Sequence, residues 1–127
     1  MATIELNASN FQDTVTAEGI TLVDCWAAWC GPCRRFGPIF EEVSEAYDDV
    51  TFGKLDTEHN QEIAAALDIS SIPTVMIFRD GVMVYRSSGA MDKRNLSHLV
   101  DETKKLDMDQ VRRDIDRQAE PKKTKRF

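Results

Sequence analysis

Val23-Asp24-Cys25-Trp26-Ala27-Ala28-Trp29-Cys30-Gly31-Pro32-Cys33 decides how this chain is read. Its first half closes Ile20–Trp26, a β-rich and almost wholly apolar run of the kind carried by a strand buried on both faces. Its second half sets two cysteines three apart with a proline before the second. Proline suits the first turn of a helix, where its missing N–H costs no hydrogen bond. The segment therefore predicts a buried strand, a short loop, and a helix that starts at the cysteine pair. One residue breaks the pattern: Asp24, a carboxylate in the middle of the apolar strand.

Hydrophobic spacing and turn residues order the rest. Upstream, Thr3–Leu6 reads as a short edge strand, and Ser9 as the N-cap of a helix carrying Phe11 and Val15 and ending near Gly19. Downstream, the helix from the cysteines runs to about Tyr47, with Phe36, Ile39, Phe40 and Val43 on its inner side and a kink expected at Pro38. Val50–Asp56 reads as a second central strand and Gln61–Leu67 as a short helix. Asp80-Gly81 between the β-rich runs 74–79 and 82–87 signals a hairpin. A helix from Lys93 to about Lys105 carries Leu96, Leu99 and Val100. Alternating strands and helices followed by a hairpin predict an α/β fold: a central mixed β-sheet flanked by helices on both faces.

Residues 1–105 hold this pattern, and 106–127 read as a C-terminal extension. Met108, Val111 and Ile115 recur at helical spacing there, with Asp109–Arg113 and Arg112–Asp116 as expected i,i+4 ion pairs. A helix of about ten residues is marginal alone in water, so it must dock or fray. From Pro121 onward the composition predicts disorder.

At 127 residues the chain suits one domain with a real core. No apolar run is long enough to span a membrane. The N-terminus shows no basic region followed by a long apolar stretch, so no secretory signal is read and a cytoplasmic location is expected. A net charge of −6 argues against general affinity for nucleic acid, which needs cations facing phosphates. Lys122, Lys123, Lys125 and Arg126 put four positive charges at the tail, leaving the body more acidic than the total suggests.

Three cysteines clustered within nine residues do not form the disulfide framework of a secreted domain. Cys30 and Cys33 leave two chemistries, metal binding and thiol redox. Zinc usually takes four ligands, often from a second Cys-x-x-Cys or a His pair. His59 and His98 are single and far apart in sequence, and both are expected at the surface. The ligand count therefore favours redox chemistry and no metal.

At a helix start, free N–H groups and the helix dipole favour negative charge on Cys30. Lowering a thiol pKa from about 8.5 to about 7 is worth roughly 2 kcal/mol, and only the thiolate attacks disulfides. Cys30 is thus expected to be the more exposed nucleophile, with Cys33 shielded one turn in until it resolves a mixed disulfide. Asp24, with its pKa raised by burial, could take the Cys33 proton. Lys54, on the neighbouring strand, is its candidate charge partner. Cys25 reads as a small buried hydrophobe, with a second redox-sensitive thiol as the sharper alternative. Trp26 is expected in the core.

The stretch 23–33, together with Lys54, Pro38, Ile72-Pro73-Thr74, Gly81 and Gly89 at matching distances, resembles the thioredoxin family over roughly residues 3–105. The resemblance implies a thioredoxin fold and a protein-disulfide reductase, with Asp24 the buried acid and Lys54 its neighbour. It implies a cis Pro73 facing the cysteines, Ile72 pairing its backbone with the substrate chain, and Trp29 bordering the substrate groove. Gly31-Pro32 matches the reducing members. The implied electron source is NADPH through thioredoxin reductase, the implied partners are that reductase and disulfide-containing proteins, no bound cofactor is implied, and a monomer is expected. Two departures stand out, Cys25 where the family usually carries an aromatic or other apolar residue and the extension from Leu106. The extension leaves a second reading open, a binding or chaperone-like module on the same scaffold.

Overall fold

The computed structural model describes residues 2–119. Its centre is β2 (Ile20–Trp26), whose first six residues are all buried. Such a strand must pair on both edges and be covered on both faces. On one edge it pairs in parallel with β3 (Val50–Asp56), which in turn pairs in parallel with the edge strand β1 (Thr3–Leu6). On the other edge it meets β4 (Thr74–Arg79) antiparallel, and β4 pairs antiparallel with β5 (Val82–Ser88). The sheet order is β1-β3-β2-β4-β5, the mixed sheet expected from the sequence.

Strand residues alternate between two apolar layers. On one face Leu22, Phe52, Val75 and Ile77 pack against Phe36, Phe40 and Val43 of α2 (Gly31–Ser44) and Leu96 and Val100 of α4 (Lys93–Lys104). On the other, Val23, Cys25, Leu55 and Met76 pack with Val15 of α1 (Phe11–Val15) and with Ile63 and Leu67 at α3 (Gln61–Ala66). Phe40 bridges the first layer through rings 5.9 Å from Phe36 and 5.2 Å from Phe52.

Element ends differ from the sequence reading by a few residues. The N-cap of α1 is Asn10, not Ser9: the Phe11 N–H donates to the Asn7 carbonyl at 2.9 Å, and Ser9 spends its hydroxyl on Asn7 Oδ1. This helix ends at Val15, and α2 ends at Ser44 rather than Tyr47. α2 continues through Pro38. Asp80 and Gly81 both take positive φ, 53° and 83°, which is what a two-residue turn joining twisted strands demands. A Cβ on Gly81 would also approach the Thr16 carbonyl oxygen to 3.3 Å.

The extension forms α5 (Met108–Ala119). Met108 is buried, and Arg79 Nη1 donates to the carbonyls of Thr103, Lys104 and Leu106 at the junction with α4. The expected ion pairs are replaced. Arg112 meets Asp109 at 3.4 Å and lies 3.9 Å from Asp80 of the hairpin, Arg117 meets Asp114 at 3.0 Å, and Arg113 turns to Gln110. Arg112 is thereby shared between its own helix and the hairpin. The basic tail and the expected disorder from Pro121 lie outside the described residues. No helix among the described residues is long and apolar enough to cross a membrane.

Candidate active site

Strand β2 ends at Trp26, and a four-residue loop delivers the chain to α2 with Cys30 as N-cap. Gly31 and Pro32 are the first two helical residues, so the proline sits where its missing N–H is harmless. Cys30 and Cys33 are disulfide-bonded, with Cα atoms 5.2 Å apart. The Cys33 N–H donates to Cys30 Sγ at 3.2 Å, the capping contact that an oxygen side chain ordinarily makes. This sulfur therefore faces the positive end of a fourteen-residue helix.

The expected difference in exposure is not present in the bonded pair: Cys30 is 3% exposed and Cys33 4%. The covalent bond holds both sulfurs under the same cover, in a cluster with Ala27, Trp26 and Ile72. The asymmetry lies instead in what each cysteine faces. Cys30 lines an open groove of about 540 Å³ with Trp29, Gly31, Pro32 and Ile72. Cys33 lines a separate hollow of about 520 Å³ with Trp26, Gly37, Pro38 and Lys54. One cysteine lines a groove where a polypeptide can lie, and the other lines a hollow walled by Lys54, one half of a charged pair.

That pair is Asp24 and Lys54, register partners on β2 and β3. Asp24 is 1% exposed, and neither carboxylate oxygen has a hydrogen-bond partner among the described residues. Lys54 Nζ lies 3.7 Å from Asp24 Oδ2, an ion pair too long for a hydrogen bond, and 5.5 Å from the Trp26 ring centroid. Burial pushes the Asp24 pKa up to about 6, against the opposing pull of Lys54. Trp26 is half-buried rather than core, its ring lying beneath Lys54 and its indole N–H without a partner among the described residues.

The cis-proline segment closes the other side. The Ile72–Pro73 peptide is cis, Cys30 Sγ lies 3.7 Å from the Ile72 carbonyl oxygen, and Gly89 N–H donates to the Pro73 carbonyl at 2.8 Å. Gly89 takes φ 102°, a conformation in which a side chain would be strained. Trp29 stands 67% exposed at the groove's edge. The structure thus gathers Trp29, Cys30, Gly31, Pro32, Cys33, Asp24, Lys54, Ile72, Pro73 and Gly89 at one end of the sheet.

Sequence reasoning missed the far wall of the groove, formed by Thr57, Gln61, Ala64, Ile69 and Ser71. From sequence, Gln61–Leu67 reads as a short helix with nothing local to set it beside the cysteines. The usable signal was the short link from that helix to Ile72-Pro73. It also missed Gly37, beneath Lys54.

Cys25 lies on the opposite face of β2 from Asp24, among Val23, Leu55 and Met76. Its pKa is pushed up to about 12, first by burial and then by the Asp24 charge. His59 is exposed and held 2.6 Å from Asp56, which raises its pKa, and His98 is exposed. Among the described residues, no three His, Cys, Asp or Glu side chains cluster to hold a metal ion.

Residues 2–102 match the family model described as Thioredoxin. A Streptomyces coelicolor protein with the provisional name thioredoxin 2 is 47% identical over 114 residues, covering 90% of this chain and 85% of that one. The thioredoxin of Staphylococcus saprophyticus is 39% identical over 102 residues, covering 80% and 97%. Among solved structures, a thioredoxin of Malassezia sympodialis superposes with a TM-score of 0.72 at 30% identity, over 79% of this chain and 89% of that one. With two cysteines bonded at the tip of α2 and relatives of this kind along most of its length, the chain belongs to the thioredoxin family and is a protein-disulfide oxidoreductase working by thiol–disulfide exchange.

Proposed function

We propose that the protein works as a reductase and that the residues at the sheet's end divide the labour. The Cys30 thiolate attacks one sulfur of a substrate disulfide, forming a mixed disulfide while the other substrate sulfur leaves as a thiolate and takes a proton. Cys33 then gives its proton to Asp24 and attacks Cys30 Sγ. The second substrate thiol departs, and two electrons have passed from the cysteine pair, now a Cys30–Cys33 disulfide, to the substrate. The observation that carries this reading is the Cys33 N–H aimed at Cys30 Sγ on the helix N-terminus, which favours a thiolate there.

Trp29, Gly31, Pro32 and Ile72 border the groove in which the substrate chain would lie. Pro73 and Gly89, joined by a backbone hydrogen bond, shape its end. Lys54 tempers the charge of Asp24. Electrons would come from NADPH through thioredoxin reductase, the partner that the family membership suggests, acting on disulfide-containing proteins in the cytoplasm as part of general redox homeostasis. Residues 1–105 would form the catalytic domain, acting as a monomer with no nucleic-acid or membrane partner, and 106–127 an appendage.

Insulin reduction tests the proposal. Turnover is expected with dithiothreitol and with NADPH plus a compatible reductase, and full activity in Cys30→Ser would overturn it. The same assay separates the binding-module reading, under which the thiols would be dispensable.

A further inference from the structure

Gly37 occupies the middle of α2, immediately before Pro38, and its φ lies outside the left-handed region. No turn geometry calls for a glycine there, and glycine is a poor choice for a helix interior. What the missing side chain leaves is room. A Cβ at position 37 would stand 3.3 Å from Lys54 Nζ and within 4 Å of no other neighbouring group. That ammonium is bounded by Asp24 Oδ2 at 3.7 Å and by the Trp26 ring. Its free side opens into the hollow shared with Cys33, Arg34 and Glu41. A methyl group at 37 would displace it by a few tenths of an ångström, and the side left open to it is that hollow.

We propose that Gly37 is a positioning residue for the Asp24–Lys54 pair: the absent side chain lets the ammonium close on the buried carboxylate, and so governs how readily Asp24 releases its proton. The groups that bear on Asp24 are few. β3 contributes Lys54, α2 contributes Cys33 with Arg34 and Glu41 at the rim, and Glu41 is held by the Thr3 hydroxyl at 2.8 Å. β4 presents Val75, which does not titrate, and Cys25 points to the other face of the sheet. Lys54 is the one cation paired with the carboxylate among the described residues, so its distance is the lever.

A rival explanation is purely conformational. The ring of a proline crowds the Cβ of the preceding residue in a helix, and a glycine at 37 relieves that crowding. Relief of this kind would leave the Asp24 titration untouched. Only the consequence for turnover rests on Asp24 serving Cys33; the position of Lys54 does not.

The decisive measurement is the Asp24 carboxyl titration, followed by carbon-13 NMR in the full-length protein with its disulfide intact, so that neither active-site thiol titrates. Gly37→Ala should move the midpoint upward by about a quarter of a pH unit, the effect of a unit charge receding a few tenths of an ångström at an effective dielectric of about 20. Lys54→Met should move it further, and adding Gly37→Ala to Lys54→Met should add nothing. An unmoved midpoint in folded Gly37→Ala, or an equal shift without Lys54, would overturn the proposal. If Gly37→Ala does not fold, the same comparison in a Pro38→Ala background removes the pre-proline crowding and keeps the test. The pH profiles of insulin reduction should track the titration. A profile that stays put while the titration moves counts against Asp24 in exchange and leaves the positioning by Gly37 standing.

Discussion

Asp24 and Lys54 face each other across β2 and β3 with 3.7 Å between carboxylate oxygen and ammonium, yet the carboxylate accepts no hydrogen bond among the described residues. A buried acid held this way is costly when ionised, because Coulomb attraction alone must offset lost hydration. Its ion-pair partner Lys54 lines the same hollow as Cys33.

That cost should be visible as a pH-dependent loss of stability. The folded-state pKa is raised from 3.8 to about 6, so between these values the folded chain holds a proton that the unfolded chain has released. Stability therefore falls as pH rises through this window, and is flat with respect to this group above and below it. Asp24→Asn removes the titration. Its stability relative to the parent protein, both disulfide-bonded, should rise by roughly 3 kcal/mol between about pH 3 and about pH 8. Denaturant unfolding at a series of pH values measures it, and a pH-independent difference would show that Asp24 is not strained in the folded state.

Cys33→Ser should stop the reaction halfway. With the resolving sulfur gone, Cys30 can still attack, and Cys25, buried on the other face of the sheet, cannot reach the resulting mixed disulfide to open it. Incubation with a disulfide-bonded protein should yield a covalent, dithiothreitol-sensitive adduct, visible on a non-reducing gel. Cys30→Ser should yield none. Equal trapping by both variants would remove the distinction drawn from the two hollows they line.

Most of the strand and helix order was legible because burial leaves a direct signature. β2 is apolar on both faces because it is covered on both, and Asp80-Gly81 marks a turn because that turn needs two positive φ values. The cysteine pair and the odd carboxylate at 24 could be read for the same reason, as residue types that are costly unless used. Gly37 and the groove wall from Thr57 to Ser71 were not legible. Their significance comes from what the fold sets beside them, Lys54 in one case and Cys30 in the other; for the wall the sequence offers only the short link to Ile72-Pro73, and for Gly37 nothing local. Ser9 misled because Ser is a good cap by propensity, whereas Asn7 already organises the turn with its side chain and carbonyl.

Cys25 should stay silent in the native protein. It has no exposed surface, its pKa is pushed up to about 12, and the sheet separates it from the α2 layer that holds Cys33. The thiolate fraction and the access that alkylation needs are both missing. After reduction, iodoacetamide should label Cys30 and Cys33 and spare Cys25, with all three labelled in guanidinium. Mass spectrometry of the products decides it, and native labelling of Cys25 at a rate near that of Cys33 would restore it as a redox candidate.

The extension should matter for stability and not for catalysis. Arg79 on β4 gathers the carbonyls of Thr103 at 2.7 Å, Lys104 at 3.2 Å and Leu106 at 2.8 Å, tying the end of α4 and the start of α5 to the sheet. Its hairpin end is five residues along β4 from Thr74, roughly 17 Å from the cis-proline segment at a strand's usual rise. Arg79→Met should lose about 1–3 kcal/mol, the range for hydrogen bonds to a charged donor. It should also raise amide exchange in α5 while insulin reduction continues at the parental rate. Removing 106–127 should leave reduction equally unaffected and, by exposing the surface covered by Met108, cost stability of similar size. A large drop in reduction with either change would mean that α5 reaches the cysteines through a coupling that the docking contacts do not contain.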